Sequence, residues 1–109
     1  MSKTRLEKRL ELHTKLRSII GSDNVYFQPP ESMKIKYPAV IYEHDWIETL
    51  YADNKNYLTS DRYQVTFIDQ DPDNAFNYIS SMFSNFLMCS YERHFVNDNL
   101  NHDVFTIYY

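Results

Sequence analysis

The sequence predicts an α+β domain in which two helices pack on a mainly antiparallel sheet of about four strands, with a long loop or hairpin arm between two of them. Three observations carry that prediction. A helical repeat of apolar residues opens the chain, a second one follows Asp71-Pro72-Asp73, and the segments between and after them alternate or are rich in β-branched and aromatic residues. The element order is helix, strand, long loop or arm, strand, helix, strand, strand.

From Thr4 to Ile20, Leu6, Leu10, Leu12, Leu16, Ile19 and Ile20 are expected on one side of a helix, with Lys8, Glu11, Lys15 and Ser18 on the other. Ser2 or Thr4 can cap its start, and Gly21, the only glycine, stands where a left-handed residue would end it. The run Asn24 to Glu31 is extended and then broken by Pro29 and Pro30, which cannot donate to a ladder, so it is expected to be an exposed loop. Pro38 to Glu43 and Tyr63 to Ile68 read as strands that pair antiparallel. Between them, 45–61 is longer than a tight turn and reads as a protruding arm or a loop folded back on the sheet.

Pro72 near a helix start, with acids that suit the positive end of the dipole, predicts the second helix. Its expected buried face is Phe76, Ile79, Met82, Phe83 and Phe86, and the hydrophobic run Met82 to Met88 suggests that it extends further. Cys89 to Val96 and His102 to Tyr109 then read as strands joined by a turn at Asn97-Asp98-Asn99-Leu100.

At 109 residues the chain is read as one domain, 1–109, and 43% hydrophobic residues suffice for a core without disulfide or metal. Aromatic residues make up 17% of it, with 10 Tyr among them, and tyrosine suits half-exposed sheet faces and subunit contacts. Net charge is -4, which lacks the basic footprint of a nucleic-acid binder. The charge is unevenly spread: residues 1–37 hold eight basic and four acidic side chains, residues 38–109 three and eleven. Unlike ends of this kind can steer head-to-tail association. No apolar leader follows Met1, and no stretch approaches the roughly 20 apolar residues of a span, so a soluble chain without a membrane partner is expected.

Reactive chemistry has thin support. A lone Cys89 beside Met88 reads as a core residue, and one glycine cannot build a phosphate loop. Asp69, Asp71 and Asp73 have the spacing of part of a calcium loop but lack its glycine and its closing glutamate, so helix capping explains them better. His94, Asp98, His102 and Asp103 match no metal motif, and a metal-dependent enzyme using His94 and His102 is kept only as an alternative. The other alternative is a small nucleic-acid-contacting protein, its first helix touching phosphates through Lys3, Arg5, Lys8, Arg9, Lys15 and Arg17; Glu7 and Glu11 dilute that charge.

Three stretches carry a resemblance. They are Asn24-Val25-Tyr26-Phe27-Gln28-Pro29-Pro30-Glu31-Ser32 running into Tyr37-Pro38-Ala39-Val40-Ile41-Tyr42, then Tyr63 through Asp73, then Asn97 through Phe105. Together they resemble the small tail-terminator, tail-completion or head-tail joining proteins of tailed bacteriophages. The resemblance implies a structural virion protein, present in host cytoplasm during assembly, without catalytic residues or cofactor. It implies a homo-oligomeric ring, commonly a hexamer, at the head-proximal end of the tail, which ends tube growth and joins tail-tube protein to head-connector protein. DNA is expected only in passage through such a ring, and a head-connector accessory protein is the alternative that the resemblance leaves open. A ring needs unlike faces that meet. The interface candidates are Tyr26, Phe27, Glu31, Lys34 and Lys36 in the first loop, and Trp46, Leu50, Tyr51 and Tyr57 in the arm.

Overall fold

The structure is a computed structural model that describes residues 4–52 and 55–109, with the side chains of 46–60 outside the description. Two helices cover one face of a five-stranded sheet, so the α+β architecture predicted from the sequence is present with one more strand than expected. The strands are β1 (Val25–Phe27), β2 (Ala39–Ala52), β3 (Lys55–Asp69), β4 (Cys89–Asn97) and β5 (Leu100–Tyr108), in the spatial order β1-β2-β3-β5-β4. Every pairing is antiparallel except β1 with β2. No helix among the described residues is long and apolar enough to cross a membrane.

Helix α1 spans Arg5–Ile20. Thr4 caps it, its Oγ1 accepting from Glu7 N at 3.1 Å, while Ser2, the other cap considered, lies outside the described residues. Gly21 ends it at φ 76, a left-handed conformation, with its N–H on Arg17 O. Leu12 and Leu16 are buried, and Ile19 and Ile20 pack at the core's margin. Leu6 and Leu10, expected on the same stripe, are instead exposed. The reason is that one and two turns before Leu12 and Leu16 the sheet-facing positions are held by Arg5 and Arg9, which reach polar partners on the sheet.

The second correction is β1. Expected as loop, Val25–Phe27 pairs parallel with Val40, Ile41 and Tyr42 and adds a strand at the sheet's edge. Asn24 secures the entry, since its carbonyl accepts from Val40 N at 2.9 Å and its side-chain amide donates to Pro38 O at 3.2 Å. The prolines at 29 and 30 then end it, as their chemistry requires.

Strands β2 and β3 form one long hairpin, paired from Ala39↔Ile68 to Ala52↔Lys55 with register shifts at His44/Trp46 and Leu50/Tyr51. Strand β5 joins β3 only over Arg62–Asp69, and β1 joins β2 only over Val40–Tyr42. Among the described pairings, the rungs from Trp46↔Arg62 outward to Ala52↔Lys55 therefore have no third strand beyond Arg62, which is the arm anticipated at 45–61.

A short 3₁₀ turn, Pro72–Asn74, leads into α2 (Ala75–Asn85), and Asp71 caps it by accepting from Asp73 N at 2.9 Å. Met82 and Phe86 are buried as expected and Ile79 is partly so, but Phe76 and Phe83 are exposed and Tyr78 takes the buried place. The stripe is rotated because Tyr78 can bury its ring against Phe67, with centroids 4.6 Å apart, and still bond Asp69 through its hydroxyl. Nor is the helix longer than its period required: Phe86 has turned extended at φ -128, which leaves Leu87 and Met88 exposed. The β4–β5 turn has Asp98 (φ 53) and Asn99 (φ 62) both left-handed, the two-residue connection that suits the strands' twist.

The core lies on the helix-covered face. Val40 and Tyr42 of β2, Tyr63, Val65 and Phe67 of β3, and Phe105 and Ile107 of β5 alternate inward to meet Leu12, Leu16 and Met82. The intervening residues Ile41, Glu43, Gln64, Thr66 and Thr106 point to the bare face.

Candidate functional site

At the root of the hairpin, α1 meets β2 and β3 through a polar cluster. Asp61 is nearly buried, with Arg5 Nε 2.9 Å from its Oδ2 and His44 Nε2 3.2 Å from the same oxygen. Its backbone carbonyl also accepts from Tyr109 N at 3.0 Å, which ties the end of the chain to the same point. One turn further along α1, Arg9 donates to Tyr42 Oη at 3.4 Å and lies over the Phe27 ring, 4.3 Å from its centroid. An arginine can only donate, so Tyr42 keeps its own proton for His13 Nδ1, 2.8 Å away. Burial, with Arg17 and Arg9 nearby, lowers the His13 pKa and keeps the imidazole a neutral acceptor. Burial also raises the Tyr42 hydroxyl, and burial with the Asp61 charge pushes Tyr63 up to about 12. The cluster locks the hairpin base to the helix; its charged groups face each other.

A second cluster closes the far end of the same face. Asp103, almost fully buried, accepts from Tyr91 Oη at 2.8 Å and lies 2.7 Å from His94 Nδ1. Asp69 accepts from Tyr78 Oη, from Asn74 Nδ2 and from Asp71 N. Burial alone would raise the Asp69 carboxyl, but these bonds and one from Gln70 N outweigh it and hold the group below its ordinary range. Burial and the bonds to carboxylates raise Tyr78, and push Tyr91 up to about 12. Asp69 and Asp71 thus serve the capping role their spacing suggested.

Of the residues singled out as a possible metal or acid-base set, His94 and Asp103 are brought together, 2.7 Å apart, and His102 is kept apart from them. His94 and Asp103 share a rung on the helix side, whereas Phe95 and His102 share the next rung on the bare side, where their rings stack at 4.5 Å. His94 and His102 therefore face opposite sides of the sheet. No group of three or more ligating side chains capable of holding a metal occurs among the described residues. Burial pushes the Cys89 thiol up to about 11, far from a reactive thiolate at neutral pH.

On the bare face, a shallow polar hollow of about 540 Å³ is lined by Asp45, Arg62, Gln64, Glu92, Arg93 and Thr106 among others. Arg62 Nε lies 2.9 Å from Asp45 Oδ2 as an ion pair, off the line of a hydrogen bond.

The proposed contact residues fall into three groups. Glu31, Lys34 and Lys36 are exposed on the β1–β2 connection, and Tyr26 is half-buried with its hydroxyl accepting from Lys36 N at 3.3 Å. Phe27 is half-buried too, enclosed by Arg9, Tyr42 and His44. The side chains of Trp46, Leu50, Tyr51 and Tyr57 lie outside the described residues; their backbone belongs to the hairpin. Of the basic residues in α1, Arg5, Arg9 and Arg17 are engaged with Asp61, with Tyr42 and Phe27, and with Asp23 respectively.

Missed from the sequence was an exposed apolar set, Phe76, Phe83, Leu87 and Met88, on α2 and its link to β4. The signal available was the hydrophobic excess at 82–88, which was greater than one helix face could bury. Architecture and sites together describe an α+β domain with one bare sheet face, a long hairpin and apolar residues left exposed at its flank. Compared with protein-family models and with curated proteins, the chain matches none.

Proposed function

We propose that this chain is a structural assembly subunit of a tailed bacteriophage, forming a ring at the head-proximal end of the tail that ends tube growth and joins the tube to the head connector. The reading rests on the resemblance carried by the stretches from Asn24, Tyr63 and Asn97. The observation that supports it best is the β2–β3 hairpin, whose outer rungs have no third strand among the described pairings. Two strands alone are at best marginal in water, and on this reading a neighbouring subunit packs against them.

The test is assembly. Purified protein, alone and mixed with tail-tube protein, is followed by sedimentation velocity and electron microscopy. The expected result is a closed ring that caps tube ends. A protein that stays monomeric at every concentration, indifferent to tube and connector, refutes the reading.

A further inference from the structure

We infer that the flank built from α2 and β4 is the docking face for a second copy of this chain, and that it receives the opposite flank, built from β1 and the β1–β2 connection. The inference rests on the ring reading above and names the surfaces that would close it.

The α2 flank has unburied apolar surface. Phe76, Phe83, Leu87 and Met88 expose 82, 49, 106 and 61% of their areas. Given the size of such side chains, this amounts to roughly 550 Å², close to the apolar part of the ~800 Å² that one partner buries in a standard interface. Phe76 and Phe83 are seven residues apart on one helix, hence on one stripe, and Leu87 and Met88 continue past its end into β4. Strand β4 is the last in the sheet order, so its outer edge is unpaired among the described residues. Charge adds direction. Asp71, Asp73, Glu92 and Asp98 are exposed between 71 and 98, against the single cation Arg93.

The opposite flank has the complementary composition. The β1–β2 connection exposes Met33 and Tyr37 beside Lys34 and Lys36, with Glu31 the one acid on it. Helix α1, which contacts β1 and β2, carries five basic and two acidic residues over Arg5–Ile20, of which Arg5 and Arg17 are paired with Asp61 and Asp23 and Lys8, Arg9 and Lys15 keep the flank basic. One edge of the sheet is thus apolar and acidic, the other apolar and basic. Two copies placed side by side in the same sense bring unlike charges together, whereas a two-fold arrangement of acidic edges brings like charges together. The occupant that fits is therefore another copy, head to tail.

Complementation tests this. One variant carries Phe83→Asp and Leu87→Asp, the other Lys34→Glu and Lys36→Glu, all at exposed positions. Each loses one flank and keeps the other. Each alone is expected to be monomeric, with its self-association weakened at least tenfold, while an equimolar mixture forms a dimer that grows no further. Leu87→Ser alone, at a fully exposed position outside helix and strand, keeps the test readable should the first variant fail to fold. Variants that assemble like wild type, or a mixture that stays monomeric while wild type assembles, overturn the flank assignment and leave the ring reading standing. Wild-type protein that stays monomeric even with tube protein refutes the ring reading itself, and the flank assignment with it.

Discussion

Removing one oxygen at Tyr78 isolates the contribution of the polar cluster that closes the far end of the core. In Tyr78→Phe the ring still stacks on Phe67, and Asp69 keeps its bonds from Asn74 Nδ2 and Asp71 N, so the carboxylate is weakened without being orphaned. A hydrogen bond to a charged group contributes about 1.5–3 kcal/mol, and the remaining partners place the loss near the lower end, about 1.5–2 kcal/mol at pH 7. For a domain of this size that lowers Tm by roughly 5–10 °C. The pH dependence follows from the depressed Asp69 pKa: its stabilisation is complete above the unfolded value of 3.8 and is lost as pH falls through the lower folded value. The effect of Tyr78→Phe therefore shrinks as pH falls below 3.8 and through the lower folded value, where the folded carboxylate takes up its proton. Urea unfolding of both proteins at pH 7 and pH 2.5 measures it. A loss below about 0.5 kcal/mol at neutral pH, or one that is the same at both pH values, shows that the bond does not contribute as reasoned.

Three further outcomes are expected. Tyr63, pushed from 10.0 to about 12 by burial and the Asp61 charge, contributes stability that is present below pH 10 and lost as pH rises towards 12, so Tyr63→Phe flattens the alkaline limb by on the order of 2–3 kcal/mol in urea titrations at pH 8 and 11.5. Gly21→Ala meets no atom within 4 Å but must hold φ 76, which costs about 1 kcal/mol and a few degrees of Tm; Gly21→Asn loses less. Cys89, raised from 9.0 to about 11, reacts with a thiol reagent at pH 8 about a hundredfold more slowly in the folded protein than after unfolding, and equal rates would place it outside the half-buried site described.

Much of the architecture was legible because local chemistry and tertiary need agree. Thr4 and Gly21 bound the first helix, Asp71-Pro72 opens the second, and Asn97 to Leu100 turns where Asp98 and Asn99 accept left-handed geometry. What escaped was set across space. Strand β1 is three residues long, and its partner is chosen by a parallel pairing with β2 that no alternation within Val25–Phe27 records. The phase of α2 was misread because hydropathy ranks Phe76 and Phe83 above Tyr78, whereas the carboxylate of Asp69 makes a tyrosine the better buried residue there. In α1 the same thing happens in reverse: Arg5 and Arg9 hold sheet-facing positions because Asp61 and Tyr42 await them, and Leu6 and Leu10 are left in solvent. Separating His94 from His102 needed only the two-residue period of a strand together with the β4–β5 register.

The distribution of polar groups bears on where function resides. The buried carboxylates Asp61, Asp69 and Asp103 each have partners inside the domain: Arg5 and His44 for the first, Tyr78 and Asn74 for the second, Tyr91 and His94 for the third. A group committed in this way is costly to release, since breaking a buried pair leaves an uncompensated charge. These clusters therefore fasten both ends of the helix-covered face and stiffen the sheet between them. Among the described residues, Phe76 and Phe83 of α2 and Leu87 and Met88 of its link to β4 remain exposed, and water is a poor environment for them. A rigid sheet with satisfied polar ends and unsatisfied apolar flanks gains free energy by covering those flanks. Because the flanks differ in charge, association in one repeated sense lowers the free energy more than association of like edges. This is the placement that the ring proposed above requires if it closes through these flanks.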